Sequence, residues 1–229
     1  DTEKGFIGNM NDIVADVCKT IAADPKLSNG YNALGFSQGG QFLRSVVQRC
    51  PFPPVKNLVS FGGQHQGIFG LPYCPGDNFL CNSVRELLDL GAYLDFVQND
   101  IVQAQYFHDS NDEATYKSKS IFIADINNEK ATVNANYKDN LLKLDNFILV
   151  LFEADEMVVP KESSWFGFYE ENNIDVILNY TETRLYKEDL IGLRQLDESN
   201  RLHFISMPGG HLEVDEQIFI NEIINVYLK

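Results

Sequence analysis

The sequence predicts an α/β fold: a mostly parallel sheet with helices on both faces and a largely helical insertion. Apolar runs of strand length alternate with stretches of helical periodicity toward both ends of the chain, the cadence of a covered parallel sheet. That cadence breaks between about residues 64 and 140, where Gly- and Pro-rich sequence gives way to helical patterning without strands. At 229 residues, 44% hydrophobic and 22% charged, the chain suits one domain over 1–229 with a sizeable core, and is too apolar to be disordered.

The elements follow in order. Residues 9–26 place Ile13, Val14, Val17, Ile21 and Ala22 on one helical face. Asp24-Pro25 ends that helix, because the residue before a proline disfavours the α conformation. Residues 31–36 (YNALGF) are short and apolar, as a buried strand should be. Residues 41–49 return to helical spacing through Phe42, Leu43, Val46 and Val47, and stop at Cys50-Pro51. Residues 55–61 (VKNLVSF) read as the next strand. Residues 62–80 are rich in Gly and Pro. Residues 82–110 read as helical, with Leu87, Leu88, Ala92, Tyr93, Phe96 and Val97 as the apolar face; residues 111–140 are polar and mixed. The sheet resumes at 147–152, a helix is expected over 186–198, a strand over 202–207 and an amphipathic helix over 214–228.

Charge and cysteines narrow the partners. A formal net charge of −15 repels nucleic acid and anionic membrane surfaces. No apolar run approaches the roughly 20 residues a membrane-spanning helix needs. Asp1 to Met10 has no basic segment, no apolar segment and no initiator Met, and reads as the start of a mature chain or of a fragment. The four cysteines, Cys18, Cys50, Cys74 and Cys81, allow three pairings, and spacing alone does not choose among them. Cys74 and Cys81 flank a turn-rich stretch, PGDNFL. No C-x-x-C spacing occurs, so neither zinc nor another metal is expected. Asn179-Tyr180-Thr181 is a glycosylation sequon.

The chemistry centres on Gly35-Phe36-Ser37-Gln38-Gly39, a G-x-S-x-G pattern set between a strand and a helix. That is the place of a nucleophile elbow in α/β-hydrolases. Gly35 and Gly39 are expected to be required there, because a strained strand-to-helix turn brings backbones close. A serine hydroxyl needs a base, and in this fold the order is Ser, acid, His, each after a strand. Among four histidines, His65 lies too early, His108 falls in the insertion and His203 sits inside a strand. His211 follows the last strand across MPGG and is the candidate base. The acid should follow strand 147–152, where Glu153, Asp155 and Glu156 crowd together. Position favours Asp155, with room to turn beneath the sheet edge, and leaves the other two open.

The runs YNALGFSQGGQFLRSVVQRCP, NLVSFGGQHQGIFGLPYCPG and WFGFYEEN, with ADINNEK and the closing GGHL, resemble the palmitoyl-protein thioesterase family along essentially the whole chain, its lysosomal type most of all. The resemblance implies an α/β-hydrolase fold and removal of long-chain fatty acyl groups from cysteine thioesters, without a cofactor. It matches the nucleophile to Ser37, the acid to Asp155, the base to His211 and a backbone oxyanion donor to Gln38. It implies disulfides Cys18–Cys50 and Cys74–Cys81. S-palmitoylated proteins or peptides and long-chain acyl thioesters are the substrates it implies. The destination it implies is lysosomal or secreted, reached through a signal peptide upstream of Asp1. The family opens with a strand and an HG-x-G loop that supplies a second oxyanion donor, and Asp1 matches a point inside the family's sequence. The N-terminal strands are therefore expected to be missing, and loss of that donor would cost about 10²–10³ in rate. A long acyl chain needs an apolar groove, expected from the insertion at about 64–140. Phe107, Phe69 and Leu71 lead its candidates, with Phe79, Leu87, Leu88, Tyr93, Phe96 and Tyr106 beside them. The alternative for any of these is the insertion's own small core. A Ser-His-acid set alone does not name the leaving group, so an oxyester lipase, a short-chain esterase or an inactive chain stays open at the level of residues.

Overall fold

The computed structural model describes residues 5–69 and 91–229. Four parallel strands form the main sheet: β1 (Tyr31–Phe36), β2 (Val55–Phe61), β3 (Asn146–Phe152) and β6 (Leu202–Met207), side by side in that order. The central pair explains why the apolar runs were legible. A strand covered on both faces reads as a near-continuous apolar run rather than as an alternating one. In β3, residues Phe147 to Phe152 are all buried, and in β2 so are Asn57 to Phe61. Alternate residues serve different layers. Leu58, Phe147, Leu149 and Leu202 face one core, and Val59, Phe61, Ile148, Val150, Phe152, Ile205 and Met207 face the other.

Helices close both layers. α1 (Met10–Ala23) is capped by Asn9, whose side chain accepts from Asn11 N–H, and it buries Met10 and Val14. α2 (Gln38–Arg49) starts three residues earlier than its periodicity predicts, because the turn at Ser37 feeds straight into it. A Cys18–Cys50 disulfide ties α1 to the end of α2, with Cα atoms 5.9 Å apart. The predicted partners Cys74 and Cys81 lie outside the described residues, as do Leu71, Phe79, Leu87 and Leu88. The last helical stretch runs from Glu216 through a π-helical segment, Phe219–Ile224, to Tyr227, and packs Ile223 and Phe219 on the second core. Asp215 caps its start by accepting from the N–H groups of Gln217 and Ile218.

Between β2 and β3 the described residues form short helices: α3 (Asp95–Asp100), a 3₁₀ turn (Val102–Tyr106), α4 (Glu113–Lys119), α5 (Ile123–Ile126) and α6 (Ala135–Leu141). α6 packs along α2 and buries Leu141 with Phe147 and Leu149, so the end of the span read as insertion belongs to the layer that covers the sheet. The helix expected over 186–198 is two, α7 (Arg184–Lys187) and α8 (Leu193–Glu198). Asp189 (φ 52°) and Gly192 (φ 86°) turn left-handed between them, which no helix tolerates. A small antiparallel hairpin, β4 (Phe168–Glu170) with β5 (Asn173–Leu178), was not legible in the sequence. Among the described residues no helix is long and apolar enough to cross a membrane.

Candidate active site

Ser37 occupies the one-residue step between β1 and α2. Its φ of 54° and ψ of −127° are costly for a residue with a Cβ and are the mark of a strained elbow. The strain is held by backbone bonds: Ser37 N–H donates to Phe61 O (2.8 Å), and Gly40 N–H donates to Ser37 O (2.8 Å). The glycines around it differ in their necessity. A Cβ on Gly35 would stand 2.3 Å from the Gly39 carbonyl oxygen, and one on Gly40 would stand 2.1 Å from Ser60 Oγ. A Cβ on Gly39 would meet nothing within 4 Å. The requirement read for Gly39 is thus corrected: helix α2 approaches the sheet through Gly40, one residue on. Gly35→Ala is expected to destabilise the fold by about 3 kcal/mol through overpacking, and Gly39→Ala to change stability by less than about 1 kcal/mol. Urea unfolding of the two variants separates them.

The imidazole arrives from the loop after β6. His211 Nε2 lies 2.8 Å from Ser37 Oγ, and its Nδ1 lies 2.7 Å from Asp155 Oδ2. Gly62 makes room for the ring, since a Cβ there would lie 3.2 Å from His211 Cε1, and φ is 60° at that residue. Asp155 is buried in the turn after β3. Its Oδ1 accepts from Met157 N–H (2.8 Å) and Val158 N–H (3.0 Å), which leaves Oδ2 for the imidazole. Glu153 and Glu156 point to solvent. The loops that carry Asp155 and His211 are laced together by Ala154 N–H donating to Gly209 O (2.9 Å) and Glu153 N–H donating to Met207 O (2.9 Å). The carboxylate can only accept, so Nδ1 carries the proton and Nε2 presents its lone pair to the hydroxyl. Such an arrangement can activate Ser37 for attack on an acyl carbon.

Gln38 is the first residue of α2, where backbone N–H groups have no intrahelical acceptor. Its side chain reaches away, donating to Gly5 O (3.1 Å). Gln64, which sequence reasoning missed, donates from Nε2 to Ser37 Oγ at 3.2 Å. A signal for it existed: Gly62-Gly63-Gln64 leaves the carboxyl end of β2, the strand beside the one that leads to Ser37, where α/β sheets place their sites.

The other histidines are structural. His65 is fully buried against Arg44, a buried cation of α2 whose hydrogen bonds reach His65 Nδ1 (3.2 Å), His65 O (3.0 Å), Ile126 O (3.1 Å) and Asn127 Oδ1 (2.8 Å). Burial brings the guanidinium down to about 9. Burial, and then the Arg44 charge, hold His65 well below the usual histidine range. As a neutral ring it accepts from Arg44 at Nδ1 and donates from Nε2 to Ser60 Oγ (2.8 Å). Arg44→Met is expected to cost roughly 3 kcal/mol or more, because several buried acceptors lose their donor at once; thermal unfolding measures it. His108 bonds Gln66 O (2.7 Å) and Glu113, and His203 bonds Asn146 Oδ1 (2.8 Å).

Of the groove candidates within the described residues, Phe69 and Phe107 are half-buried, 6.2 Å apart, in an aromatic cluster with Tyr93 and Tyr169. Tyr106 instead belongs to the core that holds Met10 and Val14, and Phe96 is exposed. Asn179 is exposed and caps a 3₁₀ turn with its side chain. Among the described residues no group of three or more His, Cys, Asp or Glu is disposed to hold a metal.

Comparison with known proteins adds an independent line. A family model described as palmitoyl protein thioesterase matches residues 1–211. Palmitoyl-protein thioesterase 1 of Caenorhabditis elegans is 60% identical over 227 residues, covering 99% of this chain and 76% of the nematode protein. Palmitoyl-protein thioesterase 3 of Dictyostelium discoideum is 38% identical over 202 residues, covering 88% of this chain and 68% of its own length. The lysosomal thioesterase PPT2 homolog of Drosophila melanogaster is 27% identical over 183 residues, covering 80% of this chain and 62% of its own.

Proposed function

The chain belongs to the palmitoyl-protein thioesterase family, and from that premise we propose that it hydrolyses long-chain acyl thioesters on protein cysteines, with Ser37, His211 and Asp155 as its catalytic triad. The observation that carries the residue assignment is the unbroken hydrogen-bond line from the Asp155 carboxylate through the His211 ring to the Ser37 hydroxyl. Ser37 Oγ attacks the thioester carbonyl as His211 Nε2 takes its proton, and Asp155 stabilises the imidazolium that forms. The Gln38 backbone N–H donates to the oxyanion. Collapse breaks the carbon–sulfur bond and expels the cysteine thiolate, a leaving group of pKa about 8.5 that needs little acid help and then takes the proton from His211, leaving the ring neutral again. Water then attacks the acyl-serine, passing its proton to His211; the carbon–Oγ bond breaks, the fatty acid leaves and Ser37 Oγ takes that proton back.

Phe69 and Phe107 supply the apolar surface for the acyl chain. S-palmitoylated proteins and peptides are the substrates, and the lysosome is the compartment. The Cys18–Cys50 bridge supports a route through the oxidising secretory pathway, where such bonds form; the exposed Asn179 sequon is a glycosylation site of the same route. A fluorophosphonate probe tests the chemistry: it should label Ser37, and the labelled protein should no longer cleave a palmitoyl thioester. Faster turnover of a short-chain oxyester than of the palmitoyl thioester would instead make the chain an esterase.

A further inference from the structure

We propose that Gln64 is a further catalytic residue: its side-chain N–H donates to Ser37 Oγ and stabilises the charge on that oxygen as it leaves the acyl carbonyl in deacylation. The inference rests on Ser37 being the nucleophile and adds a step-specific role. Ser37 Oγ has a single proton, and His211 Nε2, 2.8 Å away, accepts it. A second polar group at 3.2 Å must therefore present a donor, which identifies the facing atom of the Gln64 amide as Nε2. The other amide atom, Oε1, is then a buried acceptor with no hydrogen-bond partner among the described residues. Gln64 is only 5% exposed. A buried orphan carbonyl lowers stability, and such a burden is expected where placement serves chemistry.

The placement is rigid. Gln64 backbone N–H donates to Gln41 Oε1 (3.0 Å) on α2, the helix that begins at the nucleophile. The next residue, His65, is clamped between Arg44 and Ser60. The donor thus faces Oγ before any charge develops and needs no reorganisation, the condition under which such bonds accelerate a step most.

Thioester chemistry decides which step gains. In acylation, the bond from carbonyl carbon to Oγ forms as the hydroxyl proton goes to His211, and the carbon–sulfur bond breaks; the thiolate leaves readily and takes that proton from His211. In deacylation, a water oxygen bonds to the acyl carbon and its proton goes to His211. The carbon–Oγ bond then breaks, and Oγ takes the electron pair and afterwards the His211 proton. A serine alkoxide is far more basic than a thiolate, so a donor on Oγ relieves the harder departure.

Gln64→Met, turned over on a palmitoylated cysteine peptide, tests this together with Ser37→Ala. Expected for Gln64→Met are a kcat lower by about 10- to 100-fold, the worth of one hydrogen bond to a charged oxygen, acyl-enzyme on Ser37 accumulating by intact mass spectrometry, and an undiminished Tm. Parent-like kcat with no accumulation, while Ser37 still labels, overturns the role of Gln64 and leaves the nucleophile standing. A fallen Tm with acylation and deacylation slowed alike makes Gln64 a packing residue and also overturns it. Turnover surviving in Ser37→Ala removes the nucleophile, and the role of Gln64 with it.

Discussion

Ser37→Ala is expected to lower kcat by about 10⁶-fold on a palmitoyl thioester while leaving the Tm within a degree or two of the parent. The size follows from what is removed. Without Oγ there is no covalent intermediate, and His211 and Asp155 lose the proton they are arranged to move. What remains is substrate binding and the Gln38 N–H proposed as oxyanion donor, which together leave only a modest rate over water. Stability is spared because the costly feature of the elbow is its backbone. An alanine at φ 54° bears the same strain as the serine, and the bonds that hold it there, to Phe61 O and from Gly40 N–H, involve no side chain. The measurement is paired: steady-state hydrolysis and a melting curve on the same preparation. A kcat within 100-fold of the parent, with the melt unchanged, means another group is the nucleophile.

How far the sequence could be read depended on whether burial left a pattern in it. β2 and β3 are covered on both faces for most of their length, so their sequences are near-continuous apolar runs and their limits were visible. β5 sits at the other extreme: Ile174, Val176 and Ile177 are all exposed, so no alternation marks it as a strand. The helix predicted over 186–198 has the right periodicity, but Asp189 and Gly192 bend left-handed, a conformation that periodicity does not encode. The site divides along the same line. Ser37 and His211 stand at positions that fold topology dictates, at the ends of β1 and β6. Asp155 could not be separated from Glu153 and Glu156 by residue type. The two backbone N–H groups that fold over its Oδ1 distinguish it, and those belong to three dimensions. Gln64 and the tight contact at Gly40 are tertiary in the same sense: each matters because of a neighbour more than twenty residues away or across the helix–sheet seam.

The same N–H groups give the second large prediction, Asp155→Asn, a change of one atom. An asparagine carries one acceptor and one donor where aspartate has two acceptors. Met157 N–H and Val158 N–H both point at the Oδ1 position, so the amide oxygen must settle there. The amide NH₂ then faces His211 Nδ1, which becomes an acceptor, and the ring proton moves to Nε2. The imidazole now offers Ser37 a proton in place of a lone pair, and the base is lost although every heavy atom keeps its position. Activity should fall by about 10⁴-fold at neutral pH, with stability nearly retained because the buried backbone donors stay satisfied. Asp155→Ala should instead lose both, since it strands those two N–H groups as well as the ring. A measured order in which Asn is nearly as active as Asp, or in which Ala is as stable as Asn, would show that the carboxylate neither orients the ring nor anchors its own turn.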